Sequence, residues 1–282
     1  MRSWRHPSHP PRARALGAAL RAARESRDIG LRELSRIEGI SHAMLSLWEK
    51  GTRLPKVKEV AAILGCLSII GDERDRILEL AEHAHEPNWL EKVMPNAPQD
   101  LTSYIEYERT ATEITVWHPL LIPGLLQSGD YARAAIASDR RNREEVDKRL
   151  LVRMARREVL GSLSRFQALI GEAALRQRVG GPTAMIDQLE HLLTTTERAN
   201  VDIRVVPNGT DFHPGLGGAF TLLDFDTLRP IVHYEHYRGA AYIYDEDQVA
   251  DYRKAAKSIA SLALSERDIH SLIREVIAEL ET

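Results

Sequence analysis

The 282-residue chain contains a single cysteine, Cys66, and no apolar run long enough to cross a bilayer. One cysteine excludes an internal disulfide framework and a zinc site built from several cysteines. Because a membrane-spanning helix needs about 20 consecutive apolar residues, we expect no membrane association. The first residues carry positive charge, but no apolar segment follows them, which argues against a secretory signal and favours the cytoplasm.

The chain also lacks a large excess of either charge. It contains 38 Lys and Arg and 41 Asp and Glu, which gives a formal net charge of -3. The distribution along the chain is nevertheless uneven. Residues 1–60 hold thirteen basic and six acidic side chains, whereas residues 61–282 hold 25 and 35. A basic end on an acidic body is typical of a protein that meets a polyanion at one end, although arginine clusters also solvate ordinary helices.

The length favours about two domains. Residues 1–10 are rich in proline and lack a hydrophobic period, so they are interpreted as a flexible arm. Residues 86–100 contain three prolines and little periodicity, which predicts a linker. The expected organisation is therefore an arm, an all-α domain over residues 11–85, the linker, and a second domain over residues 101–282.

The all-α domain is predicted to hold five helices, from the 3.6-residue apolar period and its interruptions. Gly39 breaks the second helix from the third, Ser41 is a good N-cap for the third, and Gly51 stops it. The helices are expected from Arg12 to near Asp28, Leu31 to Glu38, Ser41 to Lys50, just after Pro55 to Gly65, and Asp72 to His85.

The second domain mixes strand and helix patterns, which indicates an α+β fold. Strands are predicted at Glu113–His118, Phe166–Gly171, Val201–Pro207, Ala219–Phe225, Ile231–Tyr237 and Ala240–Asp245. Helices are predicted at Gln127–Ser138, Arg143–Leu160 and Thr183–Ala199, with two more between Asp247 and Glu281. Because the last strands follow one another closely, the sheet should be mixed and partly antiparallel.

The segment from Gly30 to Pro55 has the helix, glycine turn and second helix of a DNA-binding helix-turn-helix. In its second helix, Leu45 and Trp48 share an inward stripe. The opposite, outward face would enter a major groove, and it carries His42, Ala43, Ser46, Leu47 and Lys50. Basic residues that could neutralise DNA phosphates flank this helix at Arg32, Arg53, Lys56 and Lys58.

At these residues the chain resembles the Xre/Cro-like family of phage-repressor DNA-binding domains, through Leu34, Gly39-Ile40-Ser41, and LSLWEKG followed by Pro55. The resemblance implies that His42, Ala43, Ser46 and Leu47 read bases. It implies phosphate contacts from Lys50, Arg53 and Lys56, with Arg32 as a substitute for a missing contact, and an ion pair between Arg24 and Glu49. The chain departs from the family at Gly30-Leu31, where members often carry Thr-Gln or Ser-Gln. These side chains give modest base specificity, so a homodimer on two half-sites of a double-stranded operator is expected.

The second domain resembles a family of actinobacterial helix-turn-helix regulators whose C-terminal domain has no characterised activity. The similarity runs through Trp117–Ile136, Leu169–Leu192, His213–Phe225 and Val232–Glu246. Some relatives are encoded beside a small partner protein and are described as developmental or antitoxin-like regulators. The resemblance implies a regulator whose output is set by such a partner protein or by a ligand.

Two other functions remain open. In one, the second domain is a hydrolase or metal-dependent enzyme, with His213, His233 and Glu235 as a 2-His-1-carboxylate site. In the other, the protein is an antitoxin-like binding module that hardly binds DNA. The preferred prediction is a cytoplasmic transcriptional regulator, nucleoid-associated when bound to DNA. It is not an enzyme, and no catalytic residue, metal or cofactor is assigned.

Overall fold

A computed structural model describes residues 11–84, 99–137, 142–226, 228–236 and 239–282. The predicted arm, most of the predicted linker and Tyr237 lie outside these ranges. The described residues form two compact units, the first comprising residues 11–84, 99–107, 226 and 228 and the second comprising the remainder. Within these ranges no helix is both long enough and apolar enough to cross a membrane.

The first unit is helical, as predicted. Its first five helices are α1 (Pro11–Glu25), α2 (Leu31–Glu38), α3 (His42–Glu49), α4 (Val57–Cys66) and α5 (Gly71–His83). Gly39 ends α2 in the left-handed region at φ 65°, and Gly51 adopts φ 67° just after α3. Glycine is favoured at both places because a side chain is strained at positive φ. The predicted stop at Gly65 is wrong by one residue, since α4 includes it and ends at Cys66.

One apolar core unites these helices. The fully buried members include Leu16 of α1, Leu34 of α2, Leu45 of α3 and Leu64 of α4, and Trp48 of α3 is 5% exposed. They come from the inward positions of each helix, which is the arrangement that a 3.6-residue apolar period predicts. The inward stripe of α3 is therefore fixed, and its opposite face is turned to solvent.

The second unit contains a six-stranded mixed sheet, which confirms the predicted α+β class. Its strands are β1 (Glu113–His118), β2 (Arg165–Gly171), β3 (Val201–Val206), β4 (Phe220–Asp224), β5 (Ile231–His236) and β6 (Gly239–Ile243), in the order β3-β2-β1-β4-β5-β6. β1, β2 and β3 run parallel, whereas β4, β5 and β6 pair antiparallel. β1 therefore lies where the parallel and antiparallel parts meet.

The described residues contain seven further α-helices, of which the first lies mostly in the first unit. They are α6 (Gln99–Thr110), α7 (Gly129–Ala137), α8 (Arg143–Arg156), α9 (Glu172–Arg176), α10 (Pro182–Thr195), α11 (Glu246–Ala260) and α12 (Glu266–Leu280). The sequence did not predict α6, whose first two residues fall inside the expected linker. The predicted helix at Arg143–Leu160 changes to a 3-10 segment, Arg157–Gly161, after α8.

One face of the sheet packs on α11. Trp117 of β1, Phe220 of β4 and Val232 of β5 form a buried cluster with Val249 and Ile259 of that helix. Because neighbouring residues of a strand point to opposite faces, Val116 lies on the other side of the sheet from Trp117. By the same alternation, His118 of β1 and His233 of β5 lie on the face of the sheet that carries Val116.

Candidate nucleic-acid interface

The turn between α2 and α3 is held by local hydrogen bonds. Ser41 caps α3, and its Oγ accepts a bond of 3.2 Å from the backbone N–H of Met44. Ser35 Oγ donates a bond of 2.5 Å to the carbonyl of Ile40. An N-cap of this kind satisfies a helical N–H that otherwise has no partner. Two short helices are thus joined by a three-residue turn of defined geometry.

The outward face of α3 is exposed where the sequence predicts base-reading residues. His42 and Ala43 are exposed, Leu47 is 39% exposed, and Ser46 is partly exposed. Leu45 and Trp48, on the inward stripe, are buried. The four predicted positions therefore form one solvent-facing strip, with apolar side chains at two of them, Ala43 and Leu47.

Basic side chains flank this strip along the sequence. Arg32, Lys50, Arg53, Lys56 and Lys58 are all exposed. None of the five forms an ion pair with a residue that the structure describes. Cations without a protein counter-charge remain available to phosphate, and lose less on binding than paired ones.

Arg24 of α1 and Glu49 of α3 lie in contact. The Nε and Nη2 atoms of Arg24 donate bonds of 2.7 and 2.9 Å to the two carboxylate oxygens of Glu49, and Nη1 donates one of 2.8 Å to the carbonyl of Ile29. The hydrogen bonding of Arg24 to the Glu49 carboxylate, which accepts, raises the pKa of the Arg24 guanidinium. A two-point contact of this kind orients both groups. It ties the end of α3 to α1.

The N-terminal corner of α2 has no side-chain cap. Gly30 occupies the N-cap position at φ -71°, and no side chain caps the helix there. Arg32, two residues further along, is exposed. A phosphate contact at this corner depends on Arg32 or on backbone N–H groups.

The metal-binding set considered in the enzyme alternative is not brought together. His213 packs edge-on against Trp117 at 5.7 Å between ring centroids, and its Nδ1 accepts a bond of 3.2 Å from the N–H of Gly215. His233 pairs with Thr221, which pairs with Val116. His213 and His233 therefore lie on opposite faces of the sheet, because Trp117 and Val116 do.

The described residues also offer no alternative metal site. In the part of the chain that the structure describes, no three His, Cys, Asp or Glu side chains cluster in a way that could hold a metal ion. The 2-His-1-carboxylate arrangement of His213, His233 and Glu235 considered from the sequence is therefore wrong. Alternation along β5 correctly predicts one face for His233 and Glu235, but it carries no information on His213.

A polar group that the sequence did not single out is His118, the last residue of β1. Burial lowers its pKa to about 4, while the charge of Glu235 raises it and the charges of Arg153 and His233 lower it. The motif Glu113–His118 shows a strand that ends in histidine, but nothing in it reveals these neighbours. Arg153 comes from α8, and His233 and Glu235 come from β5, which follows β1 by more than a hundred residues.

The second unit should lose stability in mild acid because of His118. An imidazole with an ordinary pKa of 6.5 when unfolded and about 4 when folded stabilises the fold fully above pH 6.5, and this stabilisation is lost as pH falls toward 4. By pH 5 the loss should reach about 2 kcal/mol. Urea unfolding between pH 7.5 and 5 measures it. His118→Gln should flatten the pH dependence, and an unchanged slope in that variant would contradict the assignment.

Comparison with known proteins assigns the second unit. Residues 101–275 match the family model described as Domain of unknown function (DUF5753). No curated protein and no solved structure shows a significant match to the chain. Because the matched segment covers well over half of the 282 residues, the chain belongs to the DUF5753 family.

Proposed function

We propose that this protein is a sequence-specific DNA-binding transcriptional regulator of the Xre/Cro-like type. The observation that carries the proposal is the exposed strip on α3, flanked by five basic side chains that form no ion pair with a described residue. An α-helix fits the major groove of B-DNA, and unpaired cations beside it supply the phosphate contacts that fix its position.

The chemistry of the strip suits limited base reading. Ala43 and Leu47 can contact a thymine methyl group, whereas His42 and Ser46 can form single hydrogen bonds with base edges. The N-terminal N–H groups of α3, beside Ser41, can approach a phosphate oxygen. Lys50, Arg53, Lys56 and Arg32 are placed to neutralise the backbone. The Arg24–Glu49 contact holds α3 in the presenting position.

Because one strip specifies few bases, the functional form is proposed to be a homodimer on two half-sites of an operator. The DUF5753 unit is proposed to carry the regulatory input, a small neighbour-encoded protein or a ligand. A bound partner would change how often the two heads adopt the spacing of the half-sites. In this proposal α3 reads the operator, and the second unit decides when it does so.

Selection of bound sequences from a random duplex library by the purified full-length protein tests the proposal, followed by binding across a salt series. A short inverted repeat should be recovered, and affinity should fall steeply with salt, by about 0.9 in log-log slope for each phosphate neutralised. Leu47→Glu should weaken binding by at least about tenfold, since a base contact contributes about 1–3 kcal/mol and the new carboxylate repels phosphate.

Ile70→Glu provides the matched control. Ile70 is 80% exposed and precedes α5, so the same charge is added to the same unit away from α3. Binding should be nearly unchanged in this variant. If no sequence is enriched at low salt, with or without the small neighbour-encoded protein, the DNA-binding proposal fails. Tight binding of that protein alone would then favour the antitoxin-like function.

A further inference from the structure

The DUF5753 unit carries three basic side chains on neighbouring segments. Arg157 begins the 3-10 segment after α8, His191 lies on α10, and Arg198 lies in the turn that follows α10. Asn200 joins these segments, because its Nδ2 donates bonds of 2.8 and 2.9 Å to the carbonyls of Leu160 and Leu163. The turn that carries Arg198 is thereby fastened beside the segment that Arg157 begins.

Arg157 is partly buried, and its contacts provide no negative charge. Its Nη2 lies 2.8 Å from His191 Nε2, and Nη1 lies 3.9 Å from the sulfur of Met154. A guanidinium can only donate, so Nε2 of His191 accepts, and the imidazole is neutral with its proton on Nδ1. His191 therefore orients Arg157 without neutralising it.

No described carboxylate forms an ion pair with Arg157 or Arg198. The neighbouring residue shows the usual arrangement in this unit: Arg156 is buried and donates bonds of 2.7 and 2.9 Å to both oxygens of Glu108. Buried charges are normally paired in this way, because an isolated charge is costly to remove from water. Partly buried Arg157 and exposed Arg198 have no such partner among the described residues.

We propose that Arg157 and Arg198, with His191 as the positioning residue, form a binding site for a phosphate group or a similar small oxyanion. Asn200 fastens the turn that carries Arg198 beside the segment that Arg157 begins, and neither guanidinium pairs with a described carboxylate. Two such groups match the several acceptor oxygens of an anion of this kind. The site lies in the DUF5753 unit and does not depend on the proposed DNA binding. It gives that unit a ligand class that neither the sequence nor the family description supplies.

The electrostatics support this geometry. Burial lowers the pKa of Arg157, and the nearby charge of Arg198 lowers it further. Burial also lowers the pKa of His191, followed by the charges of Arg157 and Arg198. Arg157 and His191 therefore lie in surroundings that disfavour positive charge. The negative charge of a bound anion would offset the repulsion between the two guanidinium groups, and this gain is the proposed source of the affinity for the anion.

Isothermal titration of the full-length protein with inorganic phosphate and with pyrophosphate, in a chloride buffer of fixed ionic strength, tests the site. We expect saturable binding at one site per chain. Arg198→Gln should weaken it about tenfold, the cost of one charge-assisted hydrogen bond. Arg157→Gln should have a similar effect, and Arg157→Lys, which keeps the charge but loses the planar fork, should have an intermediate one.

Arg204→Gln is the matched control. Arg204 is an exposed arginine of the same unit, and its Nε already donates bonds of 3.0 and 3.1 Å to Asp202. Its removal should leave phosphate binding within about twofold, because a paired side chain offers little to an added anion. Since Arg198 is exposed, Arg198→Gln should fold normally, so the test holds even if Arg157→Gln does not fold.

Three outcomes would overturn the proposal. They are the lack of saturable binding of either anion, equal binding by wild type and both glutamine variants, and loss of duplex DNA binding in these variants while neither anion binds. The last outcome would assign the arginines to a nucleic-acid backbone instead of a small anion. Because the anion titrations contain no DNA, their result is independent of whether α3 binds an operator.

Discussion

Gly17→Ala should destabilise the N-terminal helical unit by about 3 kcal/mol. Gly17 lies inside α1, and a Cβ at this position would fall 2.4 Å from the carbonyl oxygen of Trp48 and 2.7 Å from that of Glu49. Both contacts are with the backbone of α3, which cannot move as a flexible side chain can. Relief of the clash requires α1 and α3 to separate, which disturbs the core and the Arg24–Glu49 contact.

Gly65→Ala is the control, because Gly65 also lies inside a helix of the same unit. A Cβ there meets no atom within 4 Å, so alanine should be accommodated and should stabilise α4 by about 0.5 kcal/mol. Amide hydrogen exchange of peptides from α1 and α3, with urea unfolding of the full chain, measures both effects. Similar stability of Gly17→Ala and wild type would show that α1 and α3 do not approach as closely as described.

Gly17 and Gly65 differ in a property that the sequence does not predict, namely how closely another segment packs against them. Each interrupts an apolar helical pattern in the same way, and local propensity treats them alike. The close approach of α1 to α3 is a property of packing between segments some thirty residues apart. Local signals served well where the chain itself decides: Gly39 and Ser41 place the turn before α3, and all six strands begin within one residue of their predicted starts.

For the polar residues, too, the sequence predicts what depends on one strand or helix and does not predict contacts between distant segments. Alternation along β5 assigns one face to His233 and Glu235, because that depends on the strand alone. The position of His213 depends on the pairing of β1 with β4 and of β4 with β5, which no local pattern specifies. The neighbours of His118 and of Arg157 are likewise tertiary. The Arg24–Glu49 ion pair was expected only from the resemblance to the Xre/Cro-like family, because hydrophobic periodicity does not predict which charged side chains pair.

Arg156→Leu should cost the DUF5753 unit about 3–5 kcal/mol, the usual effect of removing one partner of a buried ion pair. Glu108 is 1% exposed, and both its oxygens accept bonds from Arg156. Without the guanidinium, its carboxylate remains enclosed with no counter-charge. Urea unfolding of the full chain, with hydrogen exchange of peptides from α8 to locate the change, measures the loss.

The double variant Arg156→Leu, Glu108→Leu separates the attraction within the pair from the cost of enclosing charge. If the unpaired carboxylate causes the loss, removing it as well should recover most of the stability. Arg133→Leu is the surface control: Arg133 contacts Asp147, both side chains are about half exposed, and the cost should stay below about 1 kcal/mol. A double variant as unstable as Arg156→Leu would mean that packing of the Arg156 stem, and not its charge, holds α8 in place. That result would also weaken the comparison with partly buried Arg157, because its proposed anion site assumes that a guanidinium removed from water in this unit requires a negative partner.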